Sequence, residues 1–358
     1  MNRSRIPVIL FACLMAIALP LAAFAQGAGA WTYTGPVAKA ATNASSTLMQ
    51  NGKVLVAGGN IGGIGAVFKW AQVYDPQTNT WTATPNMKAG RNWSTGTLLP
   101  NGKVLLVGGS NGQLNGNYLG ILKTAELYDP VSGTFTLAAG KMATARANHT
   151  ATLLPNGKVL VAGGMNAYVP RIRWGSCTNA AELYDPSSDS WSSAGSMAVV
   201  QCGHTATLLQ NGKVLIVGGK DAELYDPATN NWSSAGTMNA THSGSAVLLQ
   251  NGKVLLAGAT VPAELYDPVS GTFTITGSPA IVYGYNTALL LANGKVLMAG
   301  GPAGQCELYE PASGTWSPTA NLNSIRFGFG MSLLSDGRVL VTDGGTSYQI
   351  MSAEIYTP

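Results

Sequence analysis

Asn156-Gly157-Lys158-Val159-Leu160-Val161-Ala162-Gly163-Gly164, followed by Glu182-Leu183-Tyr184-Asp185-Pro186 and then Trp191, is one of seven near-copies of a single pattern in a chain of 358 residues. Its opening turn recurs at Asn51-Gly52, Asn101-Gly102, Asn211-Gly212, Asn251-Gly252, Asn293-Gly294 and Asp336-Gly337, so that the seven turns are spaced by 50, 55, 55, 40, 42 and 43 residues. Tyrosines follow at 74, 128, 184, 225, 266, 309 and 356, and Trp81, Phe135, Trp191, Trp232, Phe273 and Trp316 stand seven residues after the first six. The chain stops at Pro358, before a seventh aromatic is reached; Trp31, near the other end, supplies one.

Each unit reads as four strands, called A to D. Asn-Gly is the preferred two-residue hairpin because both central positions take positive φ, so it joins A to B. Strand B is apolar on both sides, as in Val159–Ala162, which suits a strand packed between neighbouring sheets. Glycines at its end let backbones crowd. A repeat of ~40–50 residues with several strands per unit predicts propeller blades. The expected fold is therefore all-β: a seven-bladed β-propeller of four-stranded blades, the last blade closed by the N-terminal strand at Trp31-Thr32-Tyr33. Such a clasp removes the exposed edges that an open array would keep.

The Gly-Gly pair, the Glu-x-Tyr-Asp-Pro stretch and the spaced Trp resemble the kelch repeat, over essentially all of residues 31–358. Two kinds of exported kelch enzyme are similar in outline. Resemblance to sialic acid mutarotases would have Arg91, Arg146 and Arg326 hold a sugar carboxylate, although seven blades departs from the six expected there. Resemblance to the central domain of galactose oxidase would require a copper site with two histidines, tyrosine ligands and a Cys–Tyr crosslink, together with an accessory β domain that a chain ending at Pro358 lacks.

Residues 1–25 carry Arg3 and Arg5, an apolar stretch from Ile6 to Leu19, and Ala23-Phe24-Ala25. This is the pattern of a secretory signal peptide, too short for a comfortable membrane span. Residues 26–358 then form one propeller domain, exported to periplasm or medium and expected to be a monomer. The formal charge of +4 falls to +2 without Arg3 and Arg5, which argues against nucleic-acid or membrane-surface roles. Cys177, Cys202 and Cys306 remain; Cys177 and Cys202 fall in neighbouring loops of one face and are the candidate disulfide.

Twelve of the 16 carboxylates occupy two repeat positions, Glu126, Glu182, Glu223, Glu264, Glu307 and Glu354 in one, and Asp75, Asp129, Asp185, Asp226, Asp267 and Glu310 in the other. Asp336 and Asp189 belong to turns. Only Asp221 and Asp343 stand off the template, Asp343 replacing the first Gly of the pair, where it would line the channel or cap an end-of-strand turn. Acid–base chemistry usually needs paired groups at a shared site, so no catalytic residue, metal site or cofactor is assigned. His149 and His204 share one repeat position, and His242 stands two residues earlier than these mates.

Strand order puts the A–B and C–D turns on one face and the B–C and D–A loops on the other. The B–C loops are long in blades 1 to 3, and the off-template aromatics collect in the B–C and D–A loops. The candidate ligand residues on this face are Trp70, Trp93, Tyr118, Tyr168, Trp174 and Tyr285, with Arg171 and Arg173 from the blade 3 loop. Arg91, Arg146 and Arg326 share a position just before strand A. They either pair with the strand C Glu or cluster at the channel mouth to grip an anion. The expected function is an exported binding or scaffold protein that presents this loop face to a protein or polysaccharide; a sugar-acting enzyme is the alternative.

Overall fold

The structure is a computed structural model, and it describes residues 29–61, 66–114, 117–169, 174–242, 244–258, 262–281, 287–345 and 350–358. Residues 1–25, expected to be a signal peptide, lie outside these residues. Among them, no helix is long and apolar enough to cross a membrane.

Seven antiparallel sheets surround a common axis. In blade 1 the strands are Ser45–Leu48, Val54–Ala57, Ala71–Asp75 and Thr80–Ala83, hydrogen-bonded in that order. Blades 2, 3, 5 and 6 repeat this order from Thr95–Leu98, Thr150–Leu153, Ser245–Leu248 and Thr287–Leu290. In blade 4, strands B and C run together as one element, Val214–Asp226. Blade 7 is built from both ends of the chain: Phe327–Leu333, Val339–Gly345 and Glu354–Thr357 are completed by Ala30–Tyr33, with Trp31 opposite Tyr356. The innermost strands touch in sequence round the ring, from Ser45–Leu48 through to Phe327–Leu333 and back to Ser45–Leu48. The closed seven-bladed propeller is the fold the repeat called for.

The cores lie between blades, not within one central mass. Val54 and Val56 pack with Leu340, Ile355 and Trp70, and Leu215 and Val217 pack with Val254 and Leu256. The template tyrosine and aromatic of every blade meet at 4.8–5.1 Å between ring centroids, including Trp31 and Tyr356 at 5.0 Å. These rings fill the wedge that widens outward between flat sheets. On the turn face, lysines of the hairpins pair with template carboxylates of the same blade, as in Lys53–Asp75 at 2.9 Å and Lys213–Asp226 at 3.2 Å. Exposed pairs of this kind contribute at most about 1 kcal/mol each.

Trp31 is buried, and its indole N–H donates to the Ala320 carbonyl at 2.9 Å, so its ring holds the clasp against blade 6. Trp31→Ala should cost about 3–5 kcal/mol, read as a lower midpoint in urea. Val131→Ala, at an exposed turn position, should change the midpoint negligibly.

Candidate functional site

The residues before each strand A build the loop face, and their backbone is tied on both sides. In the connection from blade 1 to blade 2, Lys88 and Ala89 donate their N–H groups to Glu126 at 2.8 and 3.1 Å. Arg91 then gives Nε and Nη2 to the same carboxylate at 3.2 and 3.0 Å, and Nη1 to the carbonyls of Gly108 and Thr124. The Arg91 carbonyl in turn accepts the Gly59 N–H of blade 1 at 2.7 Å. A Cβ on Gly58 would collide with that carbonyl, and this is why the pair begins with glycine in this blade.

The same strap recurs. Arg146 binds Glu182 and Arg326 binds Glu354, both at 2.7 Å. Glu223, Glu264 and Glu307 each take two consecutive loop N–H groups. Arg91, Arg146 and Arg326 are 0% exposed. Their placement corrects the anion-gripping cluster: each guanidinium lies inside its own blade with its hydrogen bonds directed at protein carboxylate and carbonyls. Structural pairing is the alternative that holds.

His242 also proves to be a strap residue. It takes the arginine's place in blade 5, with Nε2 at 2.8 Å from Glu264 Oε1, so the two-residue offset from His149 and His204 is a difference of role. Those two are buried and turn Nε2 to the hydroxyls of Thr95 and Thr150 at 3.0 and 2.9 Å. Burial, with Arg146 adding repulsion, pulls their pKa values down to about 3 and about 4, so both imidazoles are neutral at physiological pH.

Trp70 is corrected as well. It is 5% exposed and packs with Val37 and Ala41. In blade 1 the arginine is replaced by Ala41 and the glutamate by Gln72, and Trp70 occupies the strand C entry that Thr124 occupies in blade 2. Its indole fills a region that elsewhere holds a guanidinium. Arg171, Arg173 and Tyr285 lie outside the described residues, as do the side chains of Tyr118, Tyr168 and Trp174.

At the mouth of the ring, five residues that sequence reading missed as a set form a chain of backbone hydrogen bonds, one from each of five successive blades. Asn43 N–H donates to Gly328, Trp93 to Asn43, Asn148 to Trp93 and Gly203 to Asn148, at 2.9, 3.4, 3.0 and 3.1 Å. All five are left-handed, with φ of 58, 63, 56, 52 and 66° for Asn43, Gly328, Trp93, Asn148 and Gly203. Gly and Asn accept this conformation readily, whereas other residues pay about 1–2 kcal/mol. The signal was present in the sequence as aligned Asn43, Asn148, Gly203 and Gly328; Trp93 hid it.

The rim is raised over two of these blades by hairpins rather than irregular loops. Ser110–Leu114 pairs with Asn117–Ile121 in blade 2, and Met165–Val169 pairs with the start of Trp174–Asp185 in blade 3. The two hairpins touch. Cys177, at the base of the second, is bonded to Cys202, which directly precedes Gly203 of the chain at the mouth.

The Kelch motif is matched at residues 43–88 and 145–198. The chain is a β-propeller that carries the Kelch motif in these two stretches. Among solved structures, this Kelch propeller is similar to a fungal alcohol oxidase of the AA5 family in complex with copper. That match has a TM-score of 0.74 and 18% identity, and covers 92% of this chain and 76% of the other. It is also similar to YjhT, with a TM-score of 0.58, 16% identity and coverage of 80% and 99% respectively. No curated protein matches it significantly in sequence. At such identities the likeness is one of fold.

Among the described residues the donors do not fit a copper centre. Cys177 and Cys202 are joined to each other, and Cys306 is buried in blade 6 with its thiol pushed up to about 12 by burial. Among the described residues no three His, Cys, Asp or Glu side chains converge as ligands.

Removing one member of a buried pair leaves an uncompensated charge, at about 3–5 kcal/mol. Arg91→Ala should lose about that much in urea unfolding. The double change Arg91→Ala with Glu126→Gln, which copies blade 1, should lose less. Separately, the Cys177–Cys202 bond spans 25 residues, so its removal by Cys→Ser at both positions should cost about 3 kcal/mol of chain entropy.

Proposed function

We propose that this Kelch propeller is an exported binding protein whose ligand face is the loop face over blades 1 to 3, with a protein or carbohydrate as partner. The observation that carries this reading is Trp93. Its neighbours along the mouth show that the left-handed position accepts Gly or Asn, yet here a bulky indole is held at φ 56°. Strain of this kind, kept where a cheaper residue would fold as well, points to use of the side chain. Asn43 and Asn148 flank it on the adjoining blades and bring amide donors and acceptors to the same surface. The hairpins of blades 2 and 3 raise a wall beside these three side chains, and the disulfide ties that wall to the mouth.

The charged groups favour binding over acid–base chemistry at this face. The arginines of the straps are buried on carboxylates, both histidines at the mouth are neutral, and the template carboxylates are engaged by backbone or by lysine. Recognition here would rest on aromatic contact and amide hydrogen bonds, backed by a rigid scaffold.

The test separates folding from binding. Trp93→Asn suits the left-handed backbone, so its melting temperature should equal or exceed that of the parent. On immobilised polysaccharides and on captured exported proteins from the same cells, it should bind at least about tenfold more weakly, the loss usual for a central aromatic. Undiminished binding by Trp93→Asn together with Asn148→Ala would refute the assignment of this face.

A further inference from the structure

Blade 7 departs from the other blades at the place where it meets blade 1. The first residue of the glycine pair is Asp343, in left-handed backbone at φ 62° and only 3% exposed. At the corresponding positions of blades 1 and 2, a Cβ would collide with the carbonyl of Arg91 or Arg146 in the next blade. At this seam the second glycine still makes the usual contact, Gly344 N–H to the Ala41 carbonyl at 2.8 Å. The extra carboxyl reaches across the same gap, with Oδ1 accepting the Ala41 N–H at 3.3 Å. Blade 1 is also the blade whose strap is altered, with Ala41 and Gln72 in place of arginine and glutamate. Loss of the strap and gain of the carboxyl therefore fall on one seam.

The carboxyl is incompletely satisfied. Among the described residues no hydrogen bond of good geometry reaches Asp343 Oδ2, and the Thr342 hydroxyl beside it offers no more than a weak one. Elsewhere the residue before the pair is apolar: Ala57, Val107, Ala162, Val217, Ala257 and Ala299. A buried carboxylate with one poorly partnered oxygen is costly when charged and far less so when protonated.

We propose that the seam between blades 7 and 1 is a proton-operated latch: a neutral Asp343 closes it, and an ionised Asp343 loosens it beneath the loop-face mouth. The link to the mouth is short. Ala41 lies two residues before Asn43, whose N–H makes the bond to Gly328 that joins blade 1 to blade 7 in the left-handed chain. Burial raises the Asp343 pKa to about 7, against the opposing pull of the Ala41 N–H, Thr342 and Arg326. Of the charged groups around it, Arg326 binds the Asp343 carbonyl through Nη1 and is itself held by Glu354. From blade 1, the connection through residues 34–44 brings Lys39 as its one charged side chain, and that residue is exposed.

The sign follows from a folded pKa above the unfolded one. The stabilisation is complete below the ordinary aspartate value near 4, and is lost as pH rises through about 7. Relative to Asp343→Asn, the parent should lose about a hundredfold in folding equilibrium constant between pH 5 and pH 8.5. The check is thermal and urea unfolding of parent, Asp343→Asn and Asp343→Gly across that range. Both variants should gain on the parent as pH rises, and parallel pH profiles would overturn the latch. In the unmutated protein, the Asp343 carboxyl carbon signal should titrate near 7; titration near 4 would overturn it independently of any variant. Exchange of the Ala41 and Asn43 amides, corrected for intrinsic rates, should quicken above pH 7 in the parent but not in Asp343→Asn. Equal protection would dismiss the coupling to the mouth.

Discussion

A carboxylate buried in the third strand of each of blades 2 to 7 holds the connection that enters its blade, and the remaining architecture depends on it. Charge taken out of water is tolerated only when paired and hydrogen-bonded. Glu126 meets that demand with the N–H groups of Lys88 and Ala89 and the guanidinium of Arg91. The arrangement fastens a polar loop where a closed ring leaves no slack. It also orients the Arg91 carbonyl towards Gly59 of the preceding blade, so one ionic group links local loop geometry to contact between blades.

The strap tolerates exchange of the side chain that partners its carboxylate but not neglect of its geometry. Arginine serves in blades 2, 3 and 7, histidine in blade 5, and in blade 4 Gln201 reaches the Gly218 carbonyl while Glu223 keeps its two N–H groups. Blade 1 abandons the ion pair altogether. There Gln72 donates to the Lys39 carbonyl and Trp70 fills the region with apolar surface. Replacing a buried pair by packed apolar groups is a known neutral solution. It explains why an aromatic in a loop-like position of the sequence is part of the core.

The two faces of the ring differ because their turns differ. The hairpin face is regular, with each lysine matched to a carboxylate of its own blade. The loop face carries the hairpins of blades 2 and 3, the disulfide, and the left-handed chain from Gly328 to Gly203. It also departs from the repeat in two places: a tryptophan where Gly or Asn stands in its neighbours, and an aspartate where the other blades keep glycine. The tryptophan sits on the line of backbone bonds that crosses the mouth, and the aspartate reaches Ala41, two residues before Asn43 of that line.

The number of blades, their strand order and the clasp by Trp31 were legible from the sequence alone, because period, turn type and apolar runs are local properties repeated seven times. The repeated glutamates could be recognised as structural for the same reason. The directions of Arg91, Arg146 and Arg326, the burial of Trp70 and the role of His242 were settled only by the tertiary structure. A residue number in a loop says where the backbone passes, not whether the side chain turns towards solvent or into the neighbouring wedge. That choice is made by desolvation and by partners brought from another strand, such as Glu126 for Arg91. The chain of left-handed residues is likewise a tertiary fact, since its hydrogen bonds join residues some 50 or more positions apart that only ring closure brings together.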